Sequence, residues 1–90
     1  MLMSTSTGPG TKEFAADTIE KKVYNVVEEL KEYLPLENDR NRLAFNLVNF
    51  KKGTGDSPEV SVKVSKLNFE GIAKEAFTKL LVQKLEEAFK

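Results

Sequence analysis

"RLAFNLVNFKKGTGDSPEVSVKVSKL", residues 42–67, is the stretch whose conformation settles the fold. Its second half alternates. Val60, Val62 and Val64 fall on one side of an extended chain, with Ser61, Lys63 and Ser65 on the other, the pattern of a strand with one wet face. Its first half, 42–51, is rich in β-branched and aromatic residues, which favour a pleated surface. Between the two, "KKGTGDSP" at 51–58 supplies Gly53, Gly55 and Pro58, residues that suit a tight connection. The economical reading is an antiparallel hairpin with strands at 42–51 and 59–67.

The first of these strands is apolar on both sides. Leu43, Phe45 and Leu47 share one face, and Ala44, Val48 and Phe50 share the other with Asn46. A β-bulge near Leu47 and Val48 would return every large side chain to one core. Without a bulge, Val48 and Phe50 form an outer face that a partner or a second copy of the chain covers. A third account has Phe50, beside Lys63, stacking on a base as single-strand binders do. The connecting loop also invites a phosphate-binding reading, but it lacks the G-K-[ST] of a nucleotide cradle and is read here as leading into a strand instead of a helix.

Working outward, residues N-terminal to the stretch carry Ile19, Val23, Val26, Val27, Leu30 and Leu34 at helical spacing, with Lys21, Asn25, Glu28 and Glu32 opposite. This predicts a first helix from about Ala16 to Pro35, where the proline stops it. Thr11 and Asp17 are candidate N-caps, Asp17 having Glu20 three residues on as in a capping box. Phe14 lies off the stripe and suits a separately docked turn. "PLENDRN", 35–41, reads as a turn. On the C-terminal side a second helix is expected from the N-cap Asn68, apolar at Phe69, Ile72, Ala73, Ala76, Phe77, Leu80, Leu81, Leu85, Ala88 and Phe89. Of these, Ala73, Phe77, Leu81, Leu85 and Phe89 advance by four each time, so the stripe winds around the helix. Glu70 with Lys74, and Glu75 with Lys79, add i, i+4 support. The order is α-β-β-α in an α+β domain spanning 11–90, with two helices on one face of the hairpin and a flexible tail at 1–10, where Met3 is an alternative start.

Ninety residues bury a thin core, so completion by dimerisation is expected. The chain has 14 Lys and Arg against 14 Asp and Glu, which removes a global attraction to nucleic acid or to an anionic membrane. It has no Cys and no His. Thiolate ligation is excluded, and the commonest general base and transition-metal ligand are missing. Glu28, Glu29 and Glu32 cluster on the first helix, and Glu28 with Glu32 has the spacing to share a divalent cation, but a solvated face is the simpler reading. Neither an enzyme nor a metal or other cofactor is expected. Nothing in the opening residues reads as a secretory or membrane-spanning segment, so a cytoplasmic protein is expected.

These features point to a small non-catalytic protein-binding or regulatory module. Val48 and Phe50 on the hairpin, with Leu85 and Phe89 at the far end of the last helix, are the candidate contacts to another protein or to a second copy in a homodimer. The alternative is a nucleic-acid-binding module using Arg40, Arg42, Lys51, Lys52 and Lys63. Residues 35–68 hold six basic and four acidic side chains, so the local excess behind that alternative is small.

Overall fold

Both halves of the 42–67 stretch are helical. The computed structural model describes residues 18–90, and among them are four α-helices and no strand. They are α1 (Ile19–Glu29), α2 (Glu37–Lys51), α3 (Pro58–Ser65) and α4 (Lys74–Ala88), with a single 3-10 turn at Lys31–Tyr33. The expected hairpin, the bulge and the α+β class are therefore wrong, and the architecture is a helical bundle. The anticipated tail at 1–10, the caps at Thr11 and Asp17, and Phe14 lie outside the described residues.

The two-faced character of 42–51 has a simple cause once the chain turns by 100° per residue. Leu43, Ala44, Leu47 and Val48 then share one face, the i, i+1, i+4, i+5 pattern of a wide helical stripe, and all four are buried. Phe45 falls on the opposite side and is 62% exposed. "ENDRN" is the first turn of this helix, not a connector. Glu37 and Asp39 stand there, where the positive end of the helix dipole favours carboxylates.

The alternation in "EVSVKVS" is likewise a coincidence of spacing. On α3, Pro58, Ser61, Val62 and Ser65 turn inward, while Val60 and Val64 turn out. Valines are stiff and only fair helix formers, so eight residues of this composition need outside support. Ser57 caps the helix by accepting from the Val60 N–H at 3.4 Å, and Pro58 occupies the first turn, where its missing N–H costs nothing. The Ser61 hydroxyl donates to the Asp56 carbonyl at 3.1 Å, and the Asn46 amide donates to the Ser65 hydroxyl at 2.8 Å. Two small serines on this face let α3 lie close to α2.

A helix, not a strand, thus follows the loop 52–57, and the first donors of the loop are spent on the end of α2. The Gly53 N–H donates to the Phe50 carbonyl at 3.0 Å and the Thr54 N–H to the Asn49 carbonyl at 2.9 Å, closing the end of α2. At Gly55 the backbone runs so near α2 that a Cβ would sit 2.7 Å from the Asn49 Cβ and 2.9 Å from the Phe50 nitrogen. Any larger residue there would push the loop away.

α1 buries Val23, Val26 and Val27, and the chain beyond it buries Leu30 and Leu34, the stripe read from the sequence. Its cap is Thr18, accepting from the Lys21 N–H at 3.2 Å. α4 begins at Lys74, six residues after the expected cap Asn68, which is engaged by a side chain of α2 instead. Residues 66–73 form a link that opens with Lys66 at φ 53° and holds Gly71 at φ +72°. Across it Phe69 packs on Phe77, ring centroids 5.0 Å apart.

The directions of the four helices follow from their side-chain contacts. Glu20 at the start of α1 pairs with Lys52 at the end of α2 at 2.8 Å. Arg42 and Asn46 of α2 meet Ser65 at the end of α3. Glu29 at the end of α1 accepts from Lys84 of α4 at 3.1 Å, and Lys22 lies 5.2 Å from the centre of the Phe89 ring. Each neighbouring pair is antiparallel, and the ring closes through α1 packing on α4. This is the up-down-up-down arrangement of a four-helix bundle, with Phe77, Leu81, Leu43 and Leu47 fully buried at its centre.

Phe77 has no exposure, so Phe77→Ala should cost about 3–5 kcal/mol through lost transfer energy and the cavity left behind. Denaturant titration checks this, and a loss below ~1 kcal/mol would place the ring outside the core. The helical phase of α3 makes a second test. Val60→Asp, at a position 40% exposed, should leave the bundle folded, whereas Val62→Asp, at 2%, should unfold it; a hairpin would respond equally to both.

Candidate partner-binding surface

The geometry of the α2–α3 flank is set by one buried carboxylate. Asp39 is 2% exposed. One oxygen accepts from the Asn68 N–H at 2.9 Å and from the Asn68 side-chain amide at 3.0 Å. The other accepts from the Arg42 guanidinium, whose Nε donates in turn to the Ser65 carbonyl at 3.1 Å. Burial works against ionisation of Asp39, but the backbone and side-chain hydrogen bonds from Asn68, followed by the bond to Arg42 and its charge, outweigh it and hold the carboxyl below its usual range. The network fixes the first turn of α2 to the end of α3 and to the link that follows.

Arg42 is thereby held flat against α3, its side chain half exposed. Beside it an open hollow of about 410 Å³ is lined by Asn41, Arg42, Phe45, Asn46, Val64 and Ser65. Phe45 is 62% and Val64 51% exposed. Val60 lies one turn from Val64 on the same side of α3 and is also exposed. No carboxylate lines this hollow. The arrangement offers two large apolar side chains, an arginine with N–H groups to spare and two amides.

The residues nominated from the sequence lie elsewhere. Val48 and Leu85 are buried in the core. Phe50 and Phe89 are partly buried and meet at the other end of the bundle, where the Lys51 ammonium sits 4.3 Å from the centre of the Phe89 ring and 5.6 Å from that of Phe50. A hollow of about 270 Å³ adjoins them, lined in part by Leu85 and Pro58. Of the basic candidates, Arg40 donates to the Leu34 carbonyl at 2.6 Å, Arg42 is bound to Asp39, Lys51 lies over two rings and Lys52 is paired with Glu20. Lys63 faces the α3–α4 side. They do not converge on one patch. Glu28 is paired with Lys31 at 3.2 Å, and among the described residues no cluster of three or more potential ligands could hold a metal ion.

Phe45, Val60 and Val64 are the surface that a strand reading hides. Plotting 42–51 at helical angles places Phe45 alone, away from the buried four, and that signal was present in the sequence. Among the described residues no helix is long and apolar enough to cross a membrane. Compared with known protein families, characterised proteins and solved structures, the chain matches none.

Replacing Asp39 by Ala should cost about 1–3 kcal/mol at pH 7, because Asn68 and Arg42 lose a buried acceptor. The sign of the pH effect follows from the lowered carboxyl. Its contribution is complete above the unfolded value of about 3.9 and is lost as pH falls through the folded value. Unfolding curves at pH 7 and at about pH 2 should therefore show the gap between wild type and Asp39→Ala closing in acid. A gap that persists unchanged would mean the carboxylate is not what holds α2 to the link.

Proposed function

We propose that this chain is a small non-catalytic protein-binding module that takes an amphipathic helix of another protein on the α2–α3 flank. One observation carries the reading: Phe45 and Val64, more than half exposed, stand side by side in a hollow without a carboxylate. Large apolar side chains concentrated in one place on a small surface mark interaction sites more often than scattered ones do. The helix that fits would set apolar residues one turn apart over Phe45 and Val64. Its polar edge would carry Asp or Glu, accepting from the free N–H groups of Arg42 and from the amides of Asn41 and Asn46.

Preorganisation supports this assignment. Arg42 is fixed by Asp39 and Ser65 before any partner arrives, so little side-chain entropy is lost on docking. The nucleic-acid alternative draws on basic side chains that are dispersed and mostly engaged within the bundle. A catalytic reading has no comparable support, since the buried carboxylate spends both oxygens on structural bonds.

A display library of amphipathic helical peptides, selected on the wild-type protein and screened against Phe45→Asp, provides the test. Enriched peptides should carry apolar residues at i and i+3 or i+4 flanked by Asp or Glu, and their affinity should fall at least tenfold for Phe45→Asp or Val64→Asp, with the melting temperature little changed. Peptides that bind wild type and both variants alike, or no enrichment at all, would sink the proposal.

A further inference from the structure

α3 has eight residues where α4 has fifteen, and along the seam between them runs an open groove of about 580 Å³. Its floor includes the buried Val62 and the half-buried Val82. Its charges are unevenly shared between its ends, with Lys74 and Glu75 also lining it beside Lys79. Glu59 and Glu86 stand together at one end, where both also border the hollow beside Pro58 and Leu85. α3 and α4 are antiparallel, so Lys63, one turn beyond Glu59, and Lys79, two turns before Glu86, lie towards the other end. None of these four side chains enters an ion pair among the described residues. Glu75 one turn from Lys79 and Lys51 beside Glu59 and Glu86 offset part of each cluster, and each end keeps an excess of one sign.

A groove acidic at one end and basic at the other is complementary to itself after a half-turn. We propose that a second copy of this chain seats here, the two α4 helices lying antiparallel about Val82 so that Lys79 of each copy meets Glu86 of the other. The same register sets Val82 opposite Gln83 and brings Lys63 towards the acidic end of the second copy and Glu59 towards its basic end. Such a two-fold contact uses one patch twice, and its pairing of unlike charges both fixes the register and disfavours the parallel alternative. The area at the seam is small for a permanent dimer, so association should be weak and salt-sensitive. The α2–α3 flank stays uncovered in both copies.

Sedimentation equilibrium at low salt tests this with the intact chain. Wild type should approach about 20 kDa, twice the 10.1 kDa of one chain, and return towards the single-chain mass as salt is raised. Lys79→Glu and Glu86→Lys, both at exposed positions, should each be monomeric with unchanged helix content. Mixed in equal amounts they should associate again, because the acidic groove of one variant meets the basic groove of the other. A wild type that stays monomeric at its highest soluble concentration would overturn the proposal, as would a dimer that either variant retains or a mixture that fails to associate.

Discussion

The carboxylate of Asp39 is the tie on which the α2–α3 half of this bundle depends. Burying it is unfavourable by itself, and the structure offsets the cost with three hydrogen bonds and one guanidinium charge. Through Asn68 it anchors the link into α4, and through Arg42 it reaches the last carbonyl of α3. α3 needs this. A helix of eight residues with three valines has little stability of its own, and beyond its cap it relies on the serine face against α2 and on the bonds at its C-terminal end. The same tie flattens Arg42 beside Phe45, so the interaction that secures the fold also shapes the flank.

How much of this was legible depended on where tertiary contacts overrode local pattern. α1 was readable because Val23, Val26, Val27, Leu30 and Leu34 repeat at only one period. Residues 42–51 were not, since Leu43, Ala44, Leu47 and Val48 satisfy a two-sided strand as well as a wide helical stripe. The need for a bulge was the clue that the period was wrong. In α3 the alternating valines outweighed Ser57, Pro58 and Glu59, although serine, proline and an acid in succession are a helix start with a mechanism behind each residue. Asn68 is not the expected cap, the last helix beginning only at Lys74. It finds a carboxylate 29 positions away instead of the helix beside it, which spacing alone does not reveal.

The candidate residues lie in surroundings a strand does not give them, for the same reason. A strand puts Phe50 outside and Phe45 inside; a helix reverses their exposure, leaving Phe45 in solvent and folding Phe50 towards Phe89 and Lys51. The basic residues show the complementary effect. Lys51 and Lys52 look free in a loop, but at the end of a helix they reach a ring and a carboxylate on neighbouring elements. Lys52 is the group that draws the Glu20 carboxyl below its usual range. Charge that seems available in a sequence is often spent on packing once helices bring its partners near.

The two proposed surfaces share α3 and divide its sides between them. Val64 faces the α2 flank, and Glu59, Val62 and Lys63 face α4. A dimer through α4 would therefore carry two copies of the Phe45 flank, turning one modest helix-binding site into a pair. Two helices on one target, or one on each of two targets, would then bind with an effective concentration set by the spacing of the flanks and not by the free protein. For a bundle this small, with only a few side chains to offer each partner, pairing two sites would raise avidity without any new contact.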